Sequence, residues 1–187
     1  MIQIETDRLL IRPLTETQLH LYVANNGSLE KQLGVGYSPK EIAEDLADAL
    51  ENYFLRLVPQ HREQYYFYTL WSIILKQGQV LVGDLCFKGE PDEEGEVEIG
   101  YGTYADFQQQ GIMTEAVGGL LRWCSTRPDI KTLIAETEAG NEASEKVLER
   151  NHFHRDAQTR DNTWWKCYIK DFKAADQAKT EQPLRVG

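Results

Sequence analysis

Cationic side chains are scarce in this sequence: 20 Lys and Arg stand against 30 Asp and Glu, a formal net charge of -10 over 187 residues. Binding of nucleic acid by phosphate neutralisation needs clustered Lys and Arg, and adhesion to anionic membranes needs the same, so neither is expected as a partner. Long apolar runs are missing too. No stretch reaches the ~18 apolar residues of a membrane span, and residues 1–8 hold no apolar core of a targeting segment. Cysteine is sparse and odd in number: Cys86, Cys124 and Cys167 are widely spaced in apolar or aromatic surroundings. That pattern suits reduced, buried thiols and excludes a disulfide framework. His152 and His154 form an H-x-H, but no Cys or carboxylate spacing completes a metal site, so no metal is expected. A soluble cytoplasmic protein, monomer or homodimer, is the expectation.

Hydrophobic residues make up 41% and charged residues 27%, near the globular average, so the body should fold around one core. The expectation is a single domain over residues 1–172 and a polar, flexible tail over 173–187. Leu9-Leu10-Ile11 before Arg12-Pro13 reads as a first strand, and Thr15 as the N-cap of a helix through Leu19, Tyr22 and Val23. Ser38-Pro39-Lys40-Glu41 has the spacing of a capping box, with an apolar stripe Ile42, Leu46, Ala49, Leu50, Tyr53, Phe54 and Leu57 behind it. Residues 66–75 and 80–87 flank the turn signal Gln77-Gly78 and form an expected antiparallel hairpin. A further strand at 97–101 completes a meander. Helix at 114–124, strand at 132–137 and helix at 143–150 alternate, which implies a parallel pairing. Phe153 and residues 164–169 supply closing strands, and Trp164-Trp165 is a candidate wall for a ligand pocket. The fold class is therefore α/β (α+β), a mixed, mostly antiparallel sheet with flanking helices.

Between strand and helix runs Gln108-Gln109-Gln110-Gly111-Ile112-Met113-Thr114-Glu115-Ala116. The first N–H groups of a helix lack internal partners and carry the positive end of its dipole, so an anion fits there. Gly111 lets a phosphate approach the backbone without needing a basic side chain. Taken alone, Gly111 as a plain turn and Thr114 as a helix cap explain the segment as well. The overlapping Gly100-Tyr101-Gly102-Thr103-Tyr104-Ala105 satisfies G-x-G-x-x-A, but residues 106–111 intervene before helical periodicity begins, which rules out a dinucleotide turn. Gly100 and Gly102 instead mark a bulge or a close backbone approach within a strand.

Together these features resemble the GNAT superfamily of N-acetyltransferases, above all its ribosomal-protein N-terminal (RimJ/RimL-like) branch, over residues 5–170. Thr6-Asp7-Arg8-Leu9-Leu10-Ile11-Arg12-Pro13-Leu14 is similar to the branch's opening phrase, and Val82-Gly83-Asp84 and Val97-Glu98-Ile99-Gly100-Tyr101 to its third and fourth strands. The cofactor motif Q/R-x-x-G-x-G/A matches at Gln108 and Gly111, with Met113 where a small residue is usual. Asn141-Glu142-Ala143-Ser144 matches N-x-x-S, and His152-Phe153 stands where Gly-Phe is common.

The resemblance implies a splayed parallel strand pair and acetyl-CoA as the acetyl donor. It places the cofactor on Tyr101, Thr103, Gln108, Gln109, Gln110, Gly111, Ile112, Met113, Thr114 and Asn141. The acceptor it implies is a primary amine, a protein N-terminus or a small molecule. Amine acetylation needs a proton acceptor, an oxyanion donor and a group to meet the leaving thiolate. Glu98 is the first choice of acceptor, Glu136 the second and Glu138 a weaker one. A backbone N–H near Tyr101 is the oxyanion donor, and Ser144 the group at the thiolate. A silent acyl-CoA-binding module remains the alternative, because binding alone accounts for the same motifs. Asn141 and Ser144 also suit a plain helix cap.

Overall fold

The computed structural model describes residues 2–180, with side chains through 176, and builds them on one eight-stranded sheet. The strands are β1 (Ile4–Glu5), β2 (Leu9–Pro13), β3 (Leu70–Leu75), β4 (Val80–Phe87), β5 (Glu96–Thr103), β6 (Thr132–Glu138), β7 (His154–Gln158) and β8 (Asn162–Tyr168). Their order is β1-β2-β3-β4-β5-β6-β8-β7, and only β5 and β6 pair in parallel. The mixed, mostly antiparallel sheet expected from the strand and helix signals is the fold observed.

Helices cover both faces. On one side lie α1 (Glu16–Ala24), α2 (Ser28–Leu33), α3 (Glu44–Ala49), a π turn (Leu50–Phe54) and α4 (Leu55–Leu57). They close a core of Leu14, Leu19, Tyr22, Leu29, Leu50 and Phe54 against Leu70, Ile74 and Leu81. On the other lie α5 (Ile112–Ser125), α6 (Glu142–Arg150) and α7 (Ile169–Thr180), over a larger core that includes Ile99, Leu133, Ala135, Val117, Leu120, Leu148 and Phe172. Trp71 on β3 and Phe87 on β4 meet Trp123 of α5 with ring centroids 5.3 Å and 5.9 Å apart, and the Trp71 indole donates to the Tyr66 carbonyl at 2.7 Å. Rings packed at such angles fix α5 along the sheet, and so fix where its N-terminus points.

Local signals held at Thr15, whose side chain accepts from Gln18 N while Gln18 reaches back, a complete capping box. They failed at Ser38. The helix starts only after Ala43, because Ser38 is buried and the Lys40 ammonium is drawn inward onto Glu30 at 3.1 Å and over the Tyr22 ring at 4.9 Å. That buried pair holds residues 38–43 out of helical geometry. Residues 65–67 form a 3-10 turn, so the third strand begins at Leu70 rather than at residue 66. The expected tail from 173 is helical through Thr180 in α7, and 181–187 lie outside the described residues.

Strands β4 and β5 press together at two glycines: a Cβ on Gly83 would lie 2.4 Å from the Gly102 carbonyl oxygen, an immovable backbone atom. Replacing Gly83 with Ala should therefore cost about 1–3 kcal/mol of stability by overpacking. Urea unfolding of Gly83→Ala measures this, and a midpoint equal to the parent's would show that β5 moves aside freely.

Candidate active site

Four residue pairs join β5 to β6, from Glu96↔Thr132 to Ile99↔Ala135, and there the pairing ends. Strand β6 goes on pairing with β8 as far as Glu138↔Asn162, while β5 stays with β4 as far as Thr103↔Gly83. The sheet splits. Lys88 N donates to Glu98 O at 2.9 Å and Tyr104 N to Val82 O at 3.0 Å, so even-numbered residues of β5 face β4. By the alternation of an antiparallel ladder, the N–H and C=O groups of Tyr101 and Thr103 turn to the opening on the other side. No register shift accompanies this, so Gly100 and Gly102 make no bulge; a Cβ on Gly100 would meet Cys86 Sγ at 3.3 Å and one on Gly102 would meet nothing within 4 Å, so the close backbone approach belongs to Gly83.

One cleft of about 920 Å³ runs from this opening along the helix face, lined by Tyr101, Thr103, Gln108, Gln109, residues 111–114, Asn141 and Ser144. Gly111 is the N-cap of α5, with φ 72° and no side-chain cap, and the first N–H to find a carbonyl of its own turn is Glu115 N on Gly111 O. The N–H groups of Ile112, Met113 and Thr114 are thus left to a ligand. Thr114 is inside the helix and does not cap it. Gln109 adopts φ 59°, uncommon for a residue with a Cβ, which makes the turn a strained cradle. Gln108 ties the turn to Thr103 O at 3.4 Å and Gln110 ties it to Asp106 O at 3.1 Å. Gln110 lies outside the lining, so its part is to hold the loop.

Basic side chains, unforeseen in the sequence, do border this cleft. Lys146 and Arg150 line it, and the Arg8 guanidinium stands beside Gly111, donating to Gln110 O at 3.1 Å and to Glu115 at 2.6 Å. The opening phrase at Thr6 and Arg8 thus fastens the start of β2 to the first turn of α5, with Thr6 also donating to Glu115 at 2.6 Å.

A second cavity of about 930 Å³ opens on the other face, beneath α3 and the π turn. Glu41, Asp45, Asp84, Glu136 and Glu138 line it with the rings of Tyr22, Tyr53, Phe54 and Tyr104, and Lys88 is its one cation among the described residues. Both spaces share Tyr101, Asn141 and Ser144, so they communicate through the split in the sheet.

At the junction the Tyr101 hydroxyl and Ser144 Oγ lie 2.8 Å apart. Burial pushes the Tyr101 phenol up to about 12, with the Ser144 contact pulling the other way. Asn141 accepts from Ser144 N at 3.1 Å, so the plain helix cap exists and Ser144 still presents its hydroxyl to the opening. Of the carboxylates picked from sequence, Glu136 lines the second cavity, exposed and accepting from Asn162 at 2.7 Å. Glu138 also lines it. Glu98 lies outside both linings and is ion-paired with Lys88. Trp164 and Trp165 line neither space; Trp165 is buried and donates to Thr137 at 3.0 Å.

Sequence reasoning missed Asp84. It is only 6% exposed, takes the Tyr22 hydroxyl on Oδ2 at 2.8 Å and has the Tyr104 hydroxyl beside it. Burial raises its pKa from the ordinary 3.8 to about 6, while the two phenols and the nearby Lys40 pull it back. The available signal was a lone acid inside the apolar run of β4, where an unpaired charge is costly.

Residues 8–154 match the family described as the acetyltransferase (GNAT) domain. An uncharacterized N-acetyltransferase, YjdG of Bacillus subtilis, is 28% identical over 161 residues, covering 84% of this chain and 95% of that protein. Among solved structures, the ribosomal-protein-S5-alanine acetyltransferase of Vibrio fischeri superposes with a TM-score of 0.66 at 17% identity, over 92% of this chain and 99% of that one. RimL, a ribosomal L7/L12 alpha-N-protein acetyltransferase solved in complex with coenzyme A, does so with 0.64 at 22% identity, over 90% and 98%. The chain belongs to the GNAT family of N-acetyltransferases, whose acetyl donor is acetyl-CoA. Among the described residues no helix is long and apolar enough to cross a membrane.

Asp84 carries a stability consequence. Because its folded pKa of about 6 exceeds the ordinary 3.8, the native state keeps a proton that the unfolded chain has already lost between those values. Stability therefore falls as pH rises through that window, by about 3 kcal/mol in all. Asp84→Asn, which cannot ionise, should melt higher than the parent at pH 7.5 and lose most of that advantage at pH 4. Melting curves at the two pH values decide it; an equal difference at both contradicts a buried ionising carboxylate.

Proposed function

We propose that this protein moves the acetyl group of acetyl-CoA to a primary amine by direct attack, the acceptor being a protein N-terminus or a small-molecule amine. What supports this most is the meeting of two clefts at one split in the sheet, which gives donor and acceptor separate approaches to one point. The pyrophosphate sits on the free N–H groups of Ile112, Met113 and Thr114, where Gly111 leaves room and the α5 dipole favours negative charge. The turn formed by Gln108, Gln109 and Gln110 supports that seat. The pantetheine arm pairs with the backbone of Tyr101 and Thr103 as an added strand, its far side bordered by Asn141.

This places the thioester where β5 and β6 part. The amine comes from the acidic, aromatic cavity, its nitrogen attacks the carbonyl carbon, and the Tyr101 N–H steadies the oxyanion. As the C–S bond breaks, the thiolate takes a proton from the hydroxyl pair of Ser144 and Tyr101. Glu136 and Glu138 draw the cationic form of the amine toward the opening, and a carboxylate in that cavity receives the proton shed from nitrogen. The ribosomal-protein acceptors in the names of two structural neighbours support including protein N-termini among the candidates.

Free-thiol release from acetyl-CoA across protein N-terminal peptides, polyamines and aminoglycosides tests the reaction. Amine-dependent release is expected, and its absence alongside confirmed cofactor binding would reduce the protein to a binding module. For the donor seat, Gly111→Asp puts a carboxylate at the anion site in a backbone conformation that resists a Cβ. Acetyl-CoA affinity should drop about 100-fold, the equivalent of about 2.7 kcal/mol. Calorimetric titration reads the change, and undiminished affinity would move the pyrophosphate elsewhere.

A further inference from the structure

The geometry points to Asp84 as the base of the reaction: we propose that its carboxylate, facing the acceptor cavity from β4, takes the proton the attacking amine loses. This rests on the acetyl-transfer reading above and goes beyond it by giving a catalytic role to a residue to which the family resemblance assigned none.

Position comes first. Asp84 pairs in register with Gly102 and Cys86 with Gly100, so Asp84 lies beside the stretch of β5 freed from β6, and it shares the face of the sheet on which Cys86 and Lys88 line the second cavity. It lines the same cavity as Tyr101, Glu136 and Ser144. An amine entering from that face reaches the split with Asp84 on the β4 side and Glu136 on the β6 side. Glu136 is exposed and engaged with Asn162, and Glu98 is held by Lys88 outside the lining. Asp84 alone of the three is enclosed by protein, where a proton taken from nitrogen is not at once exchanged with bulk water.

Its surroundings are arranged around a proton that comes and goes. From α1 the Tyr22 hydroxyl donates to Oδ2. From the end of β5 the Tyr104 hydroxyl, buried and without a well-formed hydrogen bond of its own, stands next to both. From residues 38–43 comes the Lys40 ammonium, drawn onto Glu30 of α2, and on β4 itself lies Cys86, whose thiol burial pushes up to about 12. Burial favours the protonated acid; the phenols and Lys40 favour the anion. The balance leaves a base that is ionised at neutral pH and readily protonated, the range in which proton transfer is most effective.

The step balances without an added reagent. Nitrogen forms its bond to the carbonyl carbon, an N–H proton passes to Asp84, the C–S bond breaks, and the thiolate is protonated from the Ser144 and Tyr101 side. Asp84 then returns its proton to solvent, and the hydroxyl pair regains one.

Asp84→Asn keeps the shape and an acceptor for Tyr22, so the test uses this variant together with Asp84→Glu and Tyr22→Phe in the full chain. The acceptor is the best amine from the panel, or n-propylamine at high concentration if none is turned over. In the parent, kcat/KM should rise with pH through a limb near 6. Asp84→Asn should lose that limb and at least 100-fold in kcat, while acetyl-CoA affinity by calorimetry and the fold by circular dichroism stay unchanged. Asp84→Glu should restore part of the rate, and Tyr22→Phe, which removes a bond favouring the anion, should move the limb to higher pH. An Asp84→Asn enzyme within threefold of the parent, with the limb in place, overturns the assignment and leaves the transferase reading intact. Parent protein that binds acetyl-CoA yet acetylates no amine overturns both.

Discussion

Every backbone polar group inside a sheet needs a partner, and strand β5 cannot satisfy that need beyond Ile99 on its β6 side. The rest of the molecule can be understood from this shortfall. Strand β6 is pulled away by its longer ladder with β8, and β5 is kept on β4 by the close fit of Gly83 under Gly102. Between them lies a slot edged with the amides of Tyr101 and Thr103. In the reading proposed above, a ligand that is itself a chain of amides fills it, and the uncapped start of α5 receives the charged part of the same molecule.

The layers on the two faces follow different rules. Helices α5 and α6 lie on a continuous apolar core, so the first turn of α5 is held by packing and by the Arg8–Glu115 tie. The other face trades packing for charge. Lys40, Glu30, Tyr22, Tyr104 and Asp84 form a buried polar group under the segment that leads into α3, with one Glu30 oxygen left without a hydrogen bond. Such groups lower stability relative to an apolar filling, and they place reactive chemistry where a packed helix face has none.

Much of this fold was legible in the sequence because its signals are local. The turn at Gln77-Gly78, the strand-to-helix turn at Gly111 and the Asn141 cap each specify their own backbone. What could not be read depends on distant residues. Ser38 to Glu41 satisfies every local rule for a helix start and is overruled by Glu30, a residue from another helix. Strand β7 is exposed throughout and has no apolar alternation, so only its pairing with β8 defines it. The short β1 exists through β2. At the site, nine of the ten residues expected at the cofactor line one cleft, Gln110 being the exception, because their placement follows from the strand and the turn that carry them. The carboxylates are less legible: Glu98 and Glu136 stand out only by their strands, and nothing in sequence separation reveals that Tyr22, 62 positions away, donates to Asp84.

The two cavities meet along the end of β5 and the start of α6, where both are lined by Tyr101, Thr103, Asn141 and Ser144, and each opens on its own side of the sheet. The arrangement is a through-passage rather than a dead-end pocket. On the proposed reading, traffic on the two sides is independent: spent cofactor has a way out that does not cross the acetylated product, and neither has to wait for the other. The same reading frees the acceptor from any limit on overall size. Only the end that bears the nitrogen has to enter, and whatever is attached to it stays outside.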